Sequence, residues 1–93
     1  MTKVIPLHPK QNGVRLPVHT NVPKLDASTL FKRFAAIGWG LGVEEHSYIL
    51  VNDLEWTFHL YPEGTHWRVW AETAIEQQAG VEAFRGMLEL QHP

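Results

Sequence analysis

The sequence contains no cysteine, which removes disulfides, thiolate metal sites and a cysteine nucleophile at once. It also lacks any apolar run approaching the roughly 20 residues that a membrane-crossing helix needs. In the opening "MTKVIPLHPKQNG", Pro6 and Pro9 interrupt the chain before a stretch of signal-peptide length forms, so the expected compartment is the cytoplasm. Serine is scarce, with only Ser28 and Ser47. Ser28 falls in the first turn of a helix and Ser47 is expected to face the core, so neither is placed as a nucleophile. Without an enclosed site for acid and base groups, the expectation is a protein that is not an enzyme and carries no cofactor.

Ninety-three residues support one hydrophobic core, and four Trp and four Phe can fill it. The small net charge of −2 hides an asymmetry. Residues 1–33 carry six Lys and Arg against Asp26 alone, a net +5, whereas residues 34–93 carry Arg68 and Arg85 against nine carboxylates, a net −7. A basic arm of this kind docks on its own acidic body or on an external anion. Lys3, Lys10, Arg15 and Lys24 are its candidate nucleic-acid contacts.

Four of the six prolines, Pro6, Pro9, Pro17 and Pro23, lie in the first 23 residues. Proline cannot donate to a ladder, so residues 1–25 read as an extended arm in which "VRLPV" can add at most an edge strand. Residues 26–93 read as a single α+β domain. Asp26 is a good N-cap, apolar residues recur at helical spacing from Leu30 to Ile37, and Gly38 is a stop, which predicts a helix over about 27–37. The "GWGLG" that follows reads as a flexible turn into the sheet. Its spacing fits no nucleotide-binding fingerprint.

Three strands are expected at about 43–51, 54–61 and 66–72, with "ND" as a two-residue turn and "PEG" as a slightly longer one. Pairing Val51 with Leu54 and Tyr61 with His66 keeps the apolar residues together. Ser47, Ile49, Val51, Leu54, Trp56, Phe58, Leu60, Trp67, Val69 and Ala71 then form the core face. "TAIE" at Thr73 to Glu76 is a capping box, and an apolar stripe carries a second helix to about Leu90, with Gly80 a possible interruption. The expected fold is an arm followed by α-β-β-β-α, a three-stranded antiparallel meander with both helices on one face.

The same register puts Tyr48, Leu50, His59, Tyr61, His66, Arg68 and Trp70 on the outer face. An apolar patch of this size on a small domain calls for a cover. The arm, a second copy or a different protein can supply it. Trp, Tyr and Arg are the residue types enriched among binding hot spots. Trp70, Tyr48, Tyr61 and Leu50 are therefore the candidate anchors, with Arg68, His59 and His66 as polar selectivity. Glu44, His46, His59 and His66 also lie within diagonal reach of one another, but Arg68 beside His59 opposes a metal ion and no tight ligand spacing is present. Imidazoles titrate near about 6.5, so such a cluster can make association pH-sensitive. Glu55 and Glu72 are expected to face each other, an unfavourable pair that a cation from the arm or a partner would relieve.

The order helix, three antiparallel strands, helix over about 26–90 resembles that of double-stranded RNA-binding domains. That resemblance implies contacts to phosphates from basic residues at the start of the last helix. Here that place reads "TAIEQQAG", with Glu76 and no Lys or Arg. The expected function is a small interaction module, a regulator, inhibitor or accessory subunit, that docks a protein partner or a second copy of itself through the outer sheet face. Nucleic-acid binding through the basic arm is the alternative.

Overall fold

The computed structural model describes residues 13–17 and 26–89. Along the chain run β1 (Val14–Pro17), α1 (Ala27–Ala36), β2 (Gly40–Val43), β3 (Tyr48–Val51), β4 (Thr57–Glu63), β5 (His66–Trp70) and α2 (Ala74–Glu89). The strands form one antiparallel sheet in the order β1-β5-β4-β3-β2. The α+β class stands, but the sheet has five strands rather than three. β2 and β1 extend the meander at its two sides, so the chain departs from the helix, three strands, helix order of the double-stranded RNA-binding domains. The basic arm apart from β1, including Lys3, Lys10 and Lys24, lies outside the described residues, as does Leu90. No helix among the described residues is long and apolar enough to cross a membrane.

Helix α1 begins as its sequence requires. The Asp26 carboxylate accepts the Thr29 amide at 2.8 Å, satisfying one of the orphan donors of the first turn. At its end Gly38 adopts φ +92°, and the Trp39 amide donates to the Phe34 carbonyl. This stop delivers Trp39 into the core, where its ring meets Phe58 edge-on at 4.9 Å. "GLGV" therefore emerges as β2 rather than as a turn. The strand's alternation is present as Trp39, Leu41 and Val43, with glycine instead of polar residues in between.

The β4–β5 hairpin closes two residues later than expected. Glu63 pairs with His66, and Gly64 takes φ +68° in a two-residue turn. A shift of two preserves the faces. Phe58, Leu60, Trp67, Val69 and Ala71 are buried against the helices, whereas His59, Tyr61, His66, Arg68 and Trp70 lie on the opposite side.

The β3–β4 connection changes the phase. Asn52 does not sit in a two-residue turn. Its side-chain oxygen accepts the amides of Leu54 and Trp56, its own amide donates to the Trp56 carbonyl, and Glu55 adopts φ +65°. The loop is thus five residues long, and Val51 pairs with Thr57. This slip of three turns β3 over. Leu50 is fully buried, Tyr48 stacks on Trp67 with ring centroids 6.1 Å apart, and Ile49 and Val51 move to the outer face. Leu54 is an exposed loop residue, and Trp56 packs half-buried from the loop rather than from a strand.

Both helices cover the core face: Phe34 of α1 meets Phe58, and Gly80 of α2 lies against Phe58 and Val69. α2 runs unbroken through Gly80. The capping box forms with an extension, because Glu76 accepts the Thr73 hydroxyl at 2.6 Å and also the Thr57 amide at 3.0 Å. The start of α2 is thereby tied to the start of β4. The expected clash of Glu55 with Glu72 is absent, since Glu55 lies in the loop and the β4–β5 register carries Glu72 towards Thr57.

Candidate functional site

The outer face of the sheet is the face that the helices leave open. Register places its residues in rows across the strands. One row runs Arg15, Arg68, Tyr61, and the next runs Trp70, His59, Ile49, Gly42. Cross-strand neighbours in such rows stand within side-chain contact. The His59 ring lies 5.5 Å from Trp70 and 6.2 Å from Tyr61, centroid to centroid. These three rings make an aromatic strip along the middle of the face.

On one side of the strip, Glu63 joins two guanidinium groups. Arg68 Nε donates to Glu63 Oε2 at 3.1 Å, and Arg15 Nε stands 3.3 Å from Glu63 Oε1. The Arg68 and Glu63 side chains are only 14% and 18% exposed, which makes their pairing stronger than that of a fully solvated pair, while Arg15 is 51% exposed and reaches solvent. Glu63 was not singled out in the sequence because "PEG" reads as a turn. The two-residue shift draws it into β4.

On the other side, the bend between β2 and β3 brings Glu44 and Ser47 to His59. Glu44 Oε1 accepts the Ser47 hydroxyl at 2.9 Å and meets His59 Nδ1 at 3.2 Å, where the imidazole nitrogen is the donor. Burial pushes the Tyr61 phenol above its ordinary pKa; a hydrogen bond with Ser47 lowers it and the charge of Glu44 raises it. The Ser47 hydroxyl points to the carboxylate and not to the imidazole.

The expected cluster of four disperses. Glu44 and His59 meet, but His46 is an exposed side chain 3.5 Å from Glu45, and His66 contacts the Thr65 hydroxyl at 3.1 Å. Among the described residues no group of three or more His, Asp and Glu converges to hold a metal ion. Of the candidate anchors, Trp70 and Tyr61 stand together on the outer face with His59, His66 and Arg68. Leu50 and Tyr48 belong to the opposite face, and Ile49 and Val51 take their places. The sequence signal for that exchange is weak, because "YILV" is apolar at every position and either phase buries two large residues.

Compared with protein-family models, with curated proteins and with solved structures, the chain shows no match to any.

Proposed function

We propose that the protein is a small, non-enzymatic interaction module that docks a protein partner through the helix-free face of its sheet. The observation that carries this reading is the strip of Trp70, His59 and Tyr61, flanked by the Arg68–Glu63–Arg15 group and by Ile49 and Val51. A central aromatic anchor with a charged, hydrogen-bonded border is the composition of a binding hot spot and its rim. Trp70 and Tyr61 supply contact area at low conformational cost. Arg15, half exposed, is the arm of the border that reaches a partner. The reading requires no cofactor. It sits in the class of regulators, inhibitors and accessory subunits by analogy of size and architecture alone.

The same groups argue against nucleic acid as the preferred ligand. Arg15 stands beside the Glu63 carboxylate, and Glu44 and Glu63 both border the aromatic strip, where phosphate would be repelled. The test is affinity capture from the native host with wild-type protein, Trp70→Ala, and the α2 surface variant Arg85→Ala in parallel, after nuclease treatment. The expected result is a discrete protein partner retained by wild type and Arg85→Ala and lost with Trp70→Ala. Equal capture by all three proteins would overturn the reading. So would salt-sensitive retention on single-stranded DNA or RNA that disappears with Trp70→Ala.

A further inference from the structure

The two edges of the sheet are built differently. β1 carries Arg15 and Pro17, the charge and the missing donor by which edge strands avoid further pairing. β2, "GLGV", carries neither. The Glu44 amide donates to the Ser47 carbonyl, so Gly42 and Gly40, two and four residues earlier, also turn their amides and carbonyls towards β3. Leu41 and Val43 therefore turn theirs away from the sheet. Val43 is 67% exposed, and α1, which packs over this same strand, exposes Phe31 at 53%. Among the described residues this ladder has no strand on its outer side, and it lies beside the exposed Val43 side chain on the helix-bearing side.

We infer that β2 is a self-association edge, where β2 of a second copy pairs antiparallel with it to give one continuous ten-stranded sheet. A free ladder takes an extended backbone, and β2 itself meets every requirement of its own edge. With the two-fold axis at Gly42, the amides and carbonyls of Leu41 and Val43 pair with those of Val43 and Leu41 in the other copy. Four hydrogen bonds form, and each exposed Val43 is set against a leucine on the helix side. Gly42 faces Gly42, so the backbones approach with nothing between them. Glu44 then faces Gly40, which keeps the carboxylates at the strand end from opposing one another. A shift of two residues in one direction pairs Leu41 with Glu45, and in the other it leaves Val43 against Trp39, which is already buried in its own core. The two-fold arrangement is isologous and closes, so it stops at the dimer. It also brings the two α1 helices, which pack over β2, towards one another. This edge is separate from the helix-free face, and each surface can be lost without the other.

The experiment is sedimentation equilibrium of the full chain up to millimolar concentration, beside Val43→Lys, with hydrogen exchange followed amide by amide. Val43 is exposed, so the lysine leaves the fold intact, checked by circular dichroism. Wild type is expected at twice 10.7 kDa. Val43→Lys is expected to dissociate at least roughly tenfold more readily, as an edge charge does. In wild type the Leu41 and Val43 amides should gain protection as concentration rises, while those of β1 should not. A wild type that stays monomeric at millimolar concentration overturns the inference. A dimer that survives Val43→Lys unchanged, or in which both amides exchange freely, overturns it too. If Trp70→Ala breaks the dimer and Val43→Lys does not, association belongs to the helix-free face instead. If Leu41 and Val43 become protected only when another protein is added, the edge takes a foreign strand.

Discussion

Gly80 in the first half of α2 lies so close to Phe58 in β4 that a Cβ at position 80 would stand 2.6 Å from the Phe58 Cγ and 2.9 Å from the Val69 Cγ1. Glycine here is a contact residue, and the missing side chain is what lets the helix rest on the sheet.

Substituting Gly80→Ala sets two effects against each other. Alanine favours the helix by about 1 kcal/mol over glycine. Against that, overpacking a well-filled core costs about 1–3 kcal/mol, and both atoms that the methyl meets belong to fully buried side chains. A net loss of about 1 kcal/mol or more is expected in urea denaturation. A gain would mean that the helix stands off the sheet.

The phase of β3 can be checked by a pair of alanines. Leu50 is fully buried whereas its neighbour Val51 is 39% exposed. Leu50→Ala should cost about 2–5 kcal/mol and Val51→Ala less than about 1 kcal/mol. A larger loss at Val51 than at Leu50 would argue for the opposite register.

The loop between β3 and β4 holds one stabilising and one strained residue. Asn52→Ala strips the Leu54 and Trp56 amides of their acceptor and should cost about 1–2 kcal/mol. Glu55→Gly relieves a left-handed conformation at φ +65°. Set against glycine's greater freedom in the unfolded chain, it should gain about 0.5 kcal/mol. Thermal melting of the two variants should therefore shift in opposite directions.

Acid will weaken the link between α2 and β4. The Thr73 hydroxyl, and after it the Thr57 amide, hold the Glu76 carboxyl below the ordinary carboxylate pKa, with burial opposing them and the Thr73 amide adding to them. A group whose folded pKa is lowered contributes its stability in full above the unfolded value and loses it as pH falls through the folded one. Glu76→Ala should therefore be less stable than wild type at pH 7, and the difference should shrink as pH drops below about 4. A difference that stays constant from neutral pH to pH 2 would show that the carboxylate charge plays no part.

Several elements were legible because one local signal outweighed its rivals. Asp26 brackets α1 through its carboxylate and Gly38 through its positive φ, and "TAIE" opens α2. The inward and outward sets of β4 and β5 are legible despite the shorter turn, because an even slip leaves every side chain on its own face. β3 was lost for the converse reason. With four apolar residues in a row, its phase depends wholly on the length of the preceding or following loop, and Asn52 builds a longer one by using its side chain as a backbone acceptor. β2 is not legible because its alternation is written against glycine, which reads as a turn, and its strand character shows only in its pairing with β3. The tripartite contact of Glu63 with Arg15 and Arg68 needs β1 in place, and nothing local to "VRLPV" names β5 as its neighbour.

That last pairing bears on how the chain assembles. β3, β4 and β5 are joined by short loops, so their hairpins close early, whereas Val14 must find Val69 across most of the chain. β1 is accordingly expected to be the last strand to arrive. Until it does, β5 is a temporary rim with Trp67 and Val69 in a half-made ladder. A slow N-terminal docking step would be the interval in which nascent molecules are most prone to aggregate.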